Sequence, residues 1–410
     1  MTWRPTRRSV AAWATYDLAN TVFALGVGGL YFAEWVVDAN EWRDRDLALA
    51  IDAAMIAVII LAPWLGARSD HQGTRRPYLI GATLVAVSAT FFLASPGVGA
   101  SLALFSLALV GFHVGSFFYD ALLVDVSTEE NRGRISGLGV GIGYVGSFIA
   151  VGVGRLLIDD HGHAVVFRTL AVLFLIFALP AFFFLKERPR PRKQGNPPSV
   201  RQALSQVRKS WRAAGNYEGL VPFLIGRFFY SDAINTMIGG FLTVFALEEV
   251  GFTLSELEIV LAYGILASIA GGIGGGRLTE RIGPRRTLHL ALYLWMAAWI
   301  FGLLAAALDA KSLGTTLVIM GGLALGATWS ADRTYMARIS PPEHFAEFYG
   351  LYATVGRFAT ILGPLLWALI ADVAGLGRMT AMGALFIFLV VARVVLAQVD
   401  DSPRDWANTR

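Results

Sequence analysis

A carboxylate, a carboxamide and a hydroxyl stand at Asp17, Asn20 and Thr21, behind Tyr16, inside an otherwise apolar run over about 11–37. On a helix the spacing i, i+3, i+4 gathers all three onto one face. A charged aspartate within a bilayer costs roughly 2.5–3.5 kcal/mol on insertion scales, so it requires a partner, a wet cavity or a task. The set returns as Asp232, Asn235 and Thr236, each displaced by 215 residues. Two chemistries suit such a face: proton uptake by the carboxylate, or coordination of a substrate amine. The structural alternative is hydrogen bonding between helices. We expect the two helices to line one shared site.

Arg227 and Arg357 are cations inside apolar runs. Arg227 precedes Asp232 by five residues, about 140° round a helix, so the two do not face each other on it. A guanidinium matches a carboxylate bidentately. Either arginine could hold the carboxylate of an amino acid or an organic anion, or be permanently paired with Asp17 or Asp232. His113 can titrate between pH 5 and 8 and relay protons, or simply pack. Tyr119 and Asp120 close the same run and are expected at a cytoplasmic gate. Asp125 and Asp332 are expected at headgroup level, where charge is cheap. Asp52 is expected to reach the interface from the outer end of its run, and Arg393 to snorkel to the cytoplasmic side.

The elements that must position these groups follow from composition. Hydrophobic residues make up 55% of the 410, charged residues only 16%, and mean hydropathy is +0.57. A soluble domain carries nearer ~25% charge, so most of this surface must face something apolar. Runs of about 20 apolar residues are long enough to cross a bilayer. Twelve are expected, over about 11–37, 47–67, 77–95, 100–121, 135–157, 165–185, 219–247, 254–275, 287–308, 313–332, 348–371 and 376–398. The N-terminus, the C-terminus and every second loop hold 25 of the 34 Lys and Arg, and the alternate loops hold 6. Basic loops stay in the cytoplasm, so both termini are expected there, in a prokaryotic inner membrane. Thr6-Arg7-Arg8 mimics an export signal, but the long polar-bearing run after it predicts a retained helix.

The polar stretch from Lys186 to Tyr217 holds nine Lys and Arg and a Pro-rich segment. It predicts a basic linker over 187–217, between bundles at 1–186 and 218–410. Val200 to Arg212 reads as either an amphipathic surface helix or a solvated tether. The fold class expected is an all-α polytopic membrane protein of two pseudo-symmetric six-helix bundles. There is no Cys, no phosphate-binding loop and no zinc motif, which speaks against a primary pump and an enzyme. A formal G-x-G-x-x-G at Gly141, Gly143 and Gly146 follows no strand. We read it as a small-residue packing face. Gly363-Pro364 predicts a kink.

The repeat extends to loops. Gly66, Asp70, Gly73, Arg75 and Arg76 return as Gly276, Glu280, Gly283, Arg285 and Arg286, displaced by 210. Gly143 and Gly137 return as Gly356 and Gly350, displaced by 213. The loops read as conformational latches, with the glycines allowing close approach and tight turns, and the acids meeting a helix N-terminus or a basic side chain. Parallel six-helix halves are one transporter architecture.

These loops resemble the signature of the major facilitator superfamily. More narrowly, Tyr16-Asp17-Leu18-Ala19-Asn20-Thr21, Arg132 to Gly139 with Gly143-Tyr144, and Ser330 through Gly363-Pro364 resemble the unknown-major-facilitator family, which includes the fungal vacuolar amino-acid effluxer. His71 departs from the pattern, which usually has Arg there. The resemblance implies secondary transport of a small molecule by alternating access and hints at amino-acid export. The coupling ion expected is a proton. A monomer in the bilayer is expected, with no cofactor and no nucleic acid. A drug or lipid exporter, and a receptor or assembly factor that does not transport, are the alternatives.

Overall fold

The computed structural model describes residues 5–95, 97–128, 132–190, 192, 194–341 and 345–400. Side chains at 132–134, 136, 137, 140, 345–347 and 349 lie outside that description. Parts of two family-like motifs, Arg132 to Gly137 and Glu347 with Tyr349, therefore lie outside the described side chains. The chain divides into two compact units, Met1–Ser205 and Gln206–Arg410.

The first unit is built from α1 (Arg7–Val37), α2 (Asp44–Gln72), α3 (Arg76–Phe91), α4 (Val98–Val126) and α5 (Arg132–Phe184). α6 (Val200–Ala214) crosses the boundary between the units, so the helical reading of that basic segment holds over the tether. The second unit contains α7 (Leu220–Thr236, prolonged by Met237–Phe241 and Leu242–Glu248), α8 (Leu254–Ile282), α9 (Pro284–Ala307), α10 (Lys311–Ile339), α11 (Phe345–Phe358), α12 (Leu362–Ala368) and α13 (Gly377–Ala397). Among the described residues, nine helical stretches are long and apolar enough to cross a membrane. Each of the twelve predicted runs falls largely on helix. Two of them, 135–157 and 165–185, are two helices that meet within α5 at a kink, where Gly162 has φ 72° and ψ 173°. An L side chain rarely adopts that φ, so the glycine makes the kink possible without a loop.

Each unit repeats one packing scheme. In the first, α4 packs against α2 and α3, and the start of α1 packs along α5. In the second, α10 packs against α8 and α9, and α7 packs against α11, α12 and α13. Leu49, Ile56, Phe183, Leu266 and Ile387 are exposed. Such side chains distributed along the helices suit hydrocarbon as solvent.

The two repeated helices also loosen at the same point. Directly after Thr21, residues Val22–Tyr31 wind as a π-helix, and directly after Thr236 the π-segment Met237–Phe241 follows. In the second, Gly239 and Gly240 leave helical geometry, with φ 120° at Gly240. π-segments commonly mark functional positions. The predicted kink at Gly363-Pro364 is present: α11 ends at Phe358 and α12 starts at Leu362. Pro364 has no N–H to give, so the preceding turn loses a bond.

Candidate functional site

In the first unit, Asp17 and Thr21 are half-buried on α1 and Asn20 is buried. The Thr21 hydroxyl donates to the Asp17 backbone carbonyl at 2.8 Å. The glycines of α5 bring a second backbone against them. A Cβ at Gly143 would lie 2.9 Å from Asp17 Oδ2 and 3.0 Å from Thr21 Oγ1, and one at Gly146 only 2.4 Å from the Leu18 carbonyl. The small-residue face therefore abuts the polar face, while Gly141 points to open space. An aromatic layer floors this region. Trp13 stacks on Tyr119 at 4.4 Å and donates to its carbonyl at 3.0 Å, and Tyr16 stacks on the same ring at 5.3 Å. The Tyr16 hydroxyl pairs with Thr83 at 2.6 Å. Asn20 Oδ1 is buried with no hydrogen-bond partner among the described residues.

The second unit has a different centre. Arg227, on the first part of α7, forms a buried salt bridge with Asp332 of α10. The same carboxylate accepts from Tyr230 at 2.8 Å and from Tyr352. The guanidinium also lies 3.6 Å from the centre of the Tyr352 ring, a cation–π contact. Three donors on one carboxylate, and an aromatic face on the cation, offset much of the desolvation that a buried pair suffers. Gly356 makes room for it: a Cβ there would sit 2.6 Å from Arg227 Nη2. Asp232 and Thr236 are buried beside α12, where a Cβ at Gly363 would come within 1.9 Å of Thr236 Oγ1. Asn235 points elsewhere, donating to the carbonyl of Ala359 at 2.9 Å. That carbonyl lies in the break before Pro364, and polar backbone freed within a membrane needs such a partner. The three predicted residues thus divide between two neighbours. Arg357 is half-buried on α11.

Several expectations change. Asp332 and Asp125 are fully buried and ion-paired, with Arg227 and Arg190 respectively, rather than exposed charges. Within its unit Arg227 is paired with Asp332, an acid that the sequence did not single out as its partner. Asp52 is buried within the first unit. Its Oδ1 has no hydrogen-bond partner among the described residues. His113 is half-buried and edge-on to Phe112, which stacks on Phe23 of α1. Asp120 is exposed and Tyr119 buried.

The signature loop of the first unit is held by a residue that sequence reasoning missed. Asp70 pairs with Arg75 at 2.9 Å, and Arg75 also donates to the carbonyl of Ala121 at 2.7 Å. The acid at the helix N-terminus is Glu187, which accepts from Arg75 N at 2.7 Å, Arg76 N at 2.8 Å and the Thr74 hydroxyl at 2.9 Å. A carboxylate there meets unsatisfied N–H groups and the positive end of the helix. Arg190 reaches both oxygens of Asp125 at 2.8 Å and Glu187 at 3.4 Å. Gly73, at φ 75°, passes so close to Arg190 that a Cβ would meet its carbonyl at 2.8 Å. Residues 187–190 therefore belong to the first unit's packing rather than to a free linker. The visible signal was a single Glu amid basic residues. Gly66 lies against Phe117. In the second unit Arg285 donates to the Ala397 carbonyl at 2.7 Å and lies 3.8 Å from Asp400. Gly283 turns at φ 90°, and Gly276 faces open space. Glu280 and Arg286 flank this turn.

A second missed pair is Glu34 of α1 with His163 of α5, joined by a part-buried hydrogen bond. Glu34 was visible as an acid near the end of the first apolar run.

The chain is 26% identical over 413 residues to the uncharacterised MFS-type transporter YxiO of Bacillus subtilis (strain 168), covering 95% of this chain and 94% of that one. It is 27% identical to an autophagy-related protein 22 of Coccidioides immitis, covering 70% of this chain and 52% of the relative, so it spans about half the length of that fungal protein. Solved structures share the fold. A bacterial homologue of the human lysosomal transporter Spinster superposes with TM-score 0.70 at 16% identity, covering 95% of both chains. A POT family transporter in complex with 5-aminolevulinic acid superposes with TM-score 0.73 at 12% identity, covering 96% of both. The family model for the Major Facilitator Superfamily matches residues 17–364 and 223–410. With the repeated bundles and the twin signature loops already described, this chain belongs to the Major Facilitator Superfamily.

Proposed function

We propose that the protein is a secondary transporter that exports a small polar solute, an amino acid or a related metabolite, by alternating access driven by the proton gradient. The observation that supports it most is the repeated helix pair: α1 and α7 each carry Asp, Asn and Thr at one spacing and each loosens into a π-segment immediately afterwards. A loosened turn beside a polar set gives a helix a place to bend and a group to titrate. Asp17 is the proton-binding carboxylate or the ligand of the substrate amine, because it is half-buried on a face that Thr21 shares. Arg227 neutralises Asp332 and holds α7 to α10, rather than receiving the solute. The amino-acid assignment is supported by the resemblance to the vacuolar effluxer family. The basic loops, including both signature loops, lie on the cytoplasmic side by their charge.

The test is flux across proteoliposomes carrying a mixed amino-acid pool under an imposed pH gradient, read by mass spectrometry. The wild type moves particular amino acids only with the gradient, and Asp17→Asn lowers that flux at least about tenfold while remaining folded. Unchanged flux in Asp17→Asn removes Asp17 from the mechanism. No movement of any amino acid by folded wild type removes the substrate assignment.

A further inference from the structure

At the basic end of the second unit, a cavity of about 400 Å³ is lined by Arg285, Arg286, His289, Arg393, Ala397 and Asp400. Three arginines face one carboxylate there. Arg286, His289 and Tyr293 lie at i, i+3 and i+7 on α9, so they form one stripe. Arg393 and Ala397 face that stripe from α13. The Arg393 Nε donates to the Tyr293 hydroxyl at 3.1 Å, and its guanidinium lies 5.1 Å from the centre of that ring. Arg285 is anchored on the Ala397 carbonyl. The cationic heads are thus positioned by the fold and not merely scattered over a surface. The neighbours on the outer wall are apolar. Leu290, Tyr293 and Val394 are each half or more exposed. A tyrosine at this level suits the boundary between headgroups and acyl chains. Excess positive charge in a cleft between membrane helices, with apolar surface running on from it, matches a ligand with an anionic head and a hydrocarbon tail. Arginine forks match phosphate oxygens two at a time.

We propose that this cavity binds a phosphate-bearing anion, the headgroup of an anionic phospholipid, whose chains lie along Leu290 and Val394. The site is independent of the transported solute.

The experiment is native mass spectrometry of the purified full chain, incubated in detergent with phosphatidylglycerol, with phosphatidylcholine or with inorganic phosphate. Wild type retains phosphatidylglycerol in preference to phosphatidylcholine. Arg286→Gln or Arg393→Gln lowers retention roughly fivefold each and the pair roughly thirtyfold, with Arg→Lys restoring part of it. Asp400→Asn, on a side chain 65% exposed, removes the competing carboxylate and strengthens retention. Lys311→Gln, at the start of α10 and outside the cavity, changes nothing. Equal retention by the double variant, or an equal loss in Lys311→Gln, overturns the site. Arginine-dependent binding of inorganic phosphate without preference for phosphatidylglycerol overturns the lipid assignment.

Discussion

α1 and α7 carry the same three polar residues at the same spacing and the same loosened turn after them, yet their surroundings differ. Against α1 the neighbouring helix presents Gly143, and Asp17 remains half-buried. Against α7 the equivalent Gly356 admits Arg227 instead, which is held in a buried cage of Asp332, Tyr230 and Tyr352. The glycine is repeated because the backbone approach is repeated. What fills the space beside it is not. A fixed charge pair anchors the first part of α7 to α10; under the proposed mechanism it is Asp17 of α1 that exchanges its proton or solute.

Removing a member of the cage tests this contrast most severely. Asp332→Ala strands a buried guanidinium and should lower stability by about 3–5 kcal/mol, seen as a loss of folded protein or a lower Tm. A double variant, Arg227→Met with Asp332→Leu, should recover most of it, since apolar replacement of a buried pair is often neutral. If Asp332→Ala melts like wild type, the cage is not an anchor. Gly146→Ala comes next. Its Cβ meets backbone, which cannot rotate away, so a cost of about 1–3 kcal/mol and slower flux are expected. Gly141→Ala, facing open space, should match wild type in both and so serves as its control.

The two signature loops provide a second contrast. Glu187→Gln weakens three hydrogen bonds to a charged acceptor and the favourable meeting with a helix N-terminus. About 1.5–3 kcal/mol is expected, with faster labelling of a cysteine placed in that loop. Asp400→Asn weakens an exposed 3.8 Å contact to Arg285 and should shift stability by less than about 0.5 kcal/mol. Equal effects at the two positions would erase the asymmetry. The smallest effect on stability belongs to Asp17→Asn, a half-buried change of one atom type, whose consequence should appear in flux and not in Tm.

Much of this was legible beforehand. Apolar run lengths located the helices because a bilayer sets the length of a crossing. The constant displacement of Asp17/Asp232, Asp70/Glu280 and Gly143/Gly356 revealed the repeat. Gly363-Pro364 announced its kink through chemistry local to those two residues. Pairing was less accessible. Asp332 lies 105 residues from Arg227, and Glu187 lies 111 from Arg76, and no local rule connects them. Both acids sit among basic or small residues that read as ordinary loop or interface sequence. The break between 135–157 and 165–185 was legible as a polar Asp159-Asp160-His161 stretch, but not that a single residue, Gly162, makes it.

The sequence by itself determined the solvent, the helices, the repeat and the kinds of groups that could do chemistry, because hydropathy, charge and residue spacing act over a few turns of chain. The tertiary structure alone decided which charges are partnered, Arg227 with Asp332, Arg190 with Asp125 and Glu187 with a helix start. Where packing shields a charge from water, it is settled by whatever opposite group or helix end packing brings within about 3 Å, and packing joins residues that the chain keeps far apart.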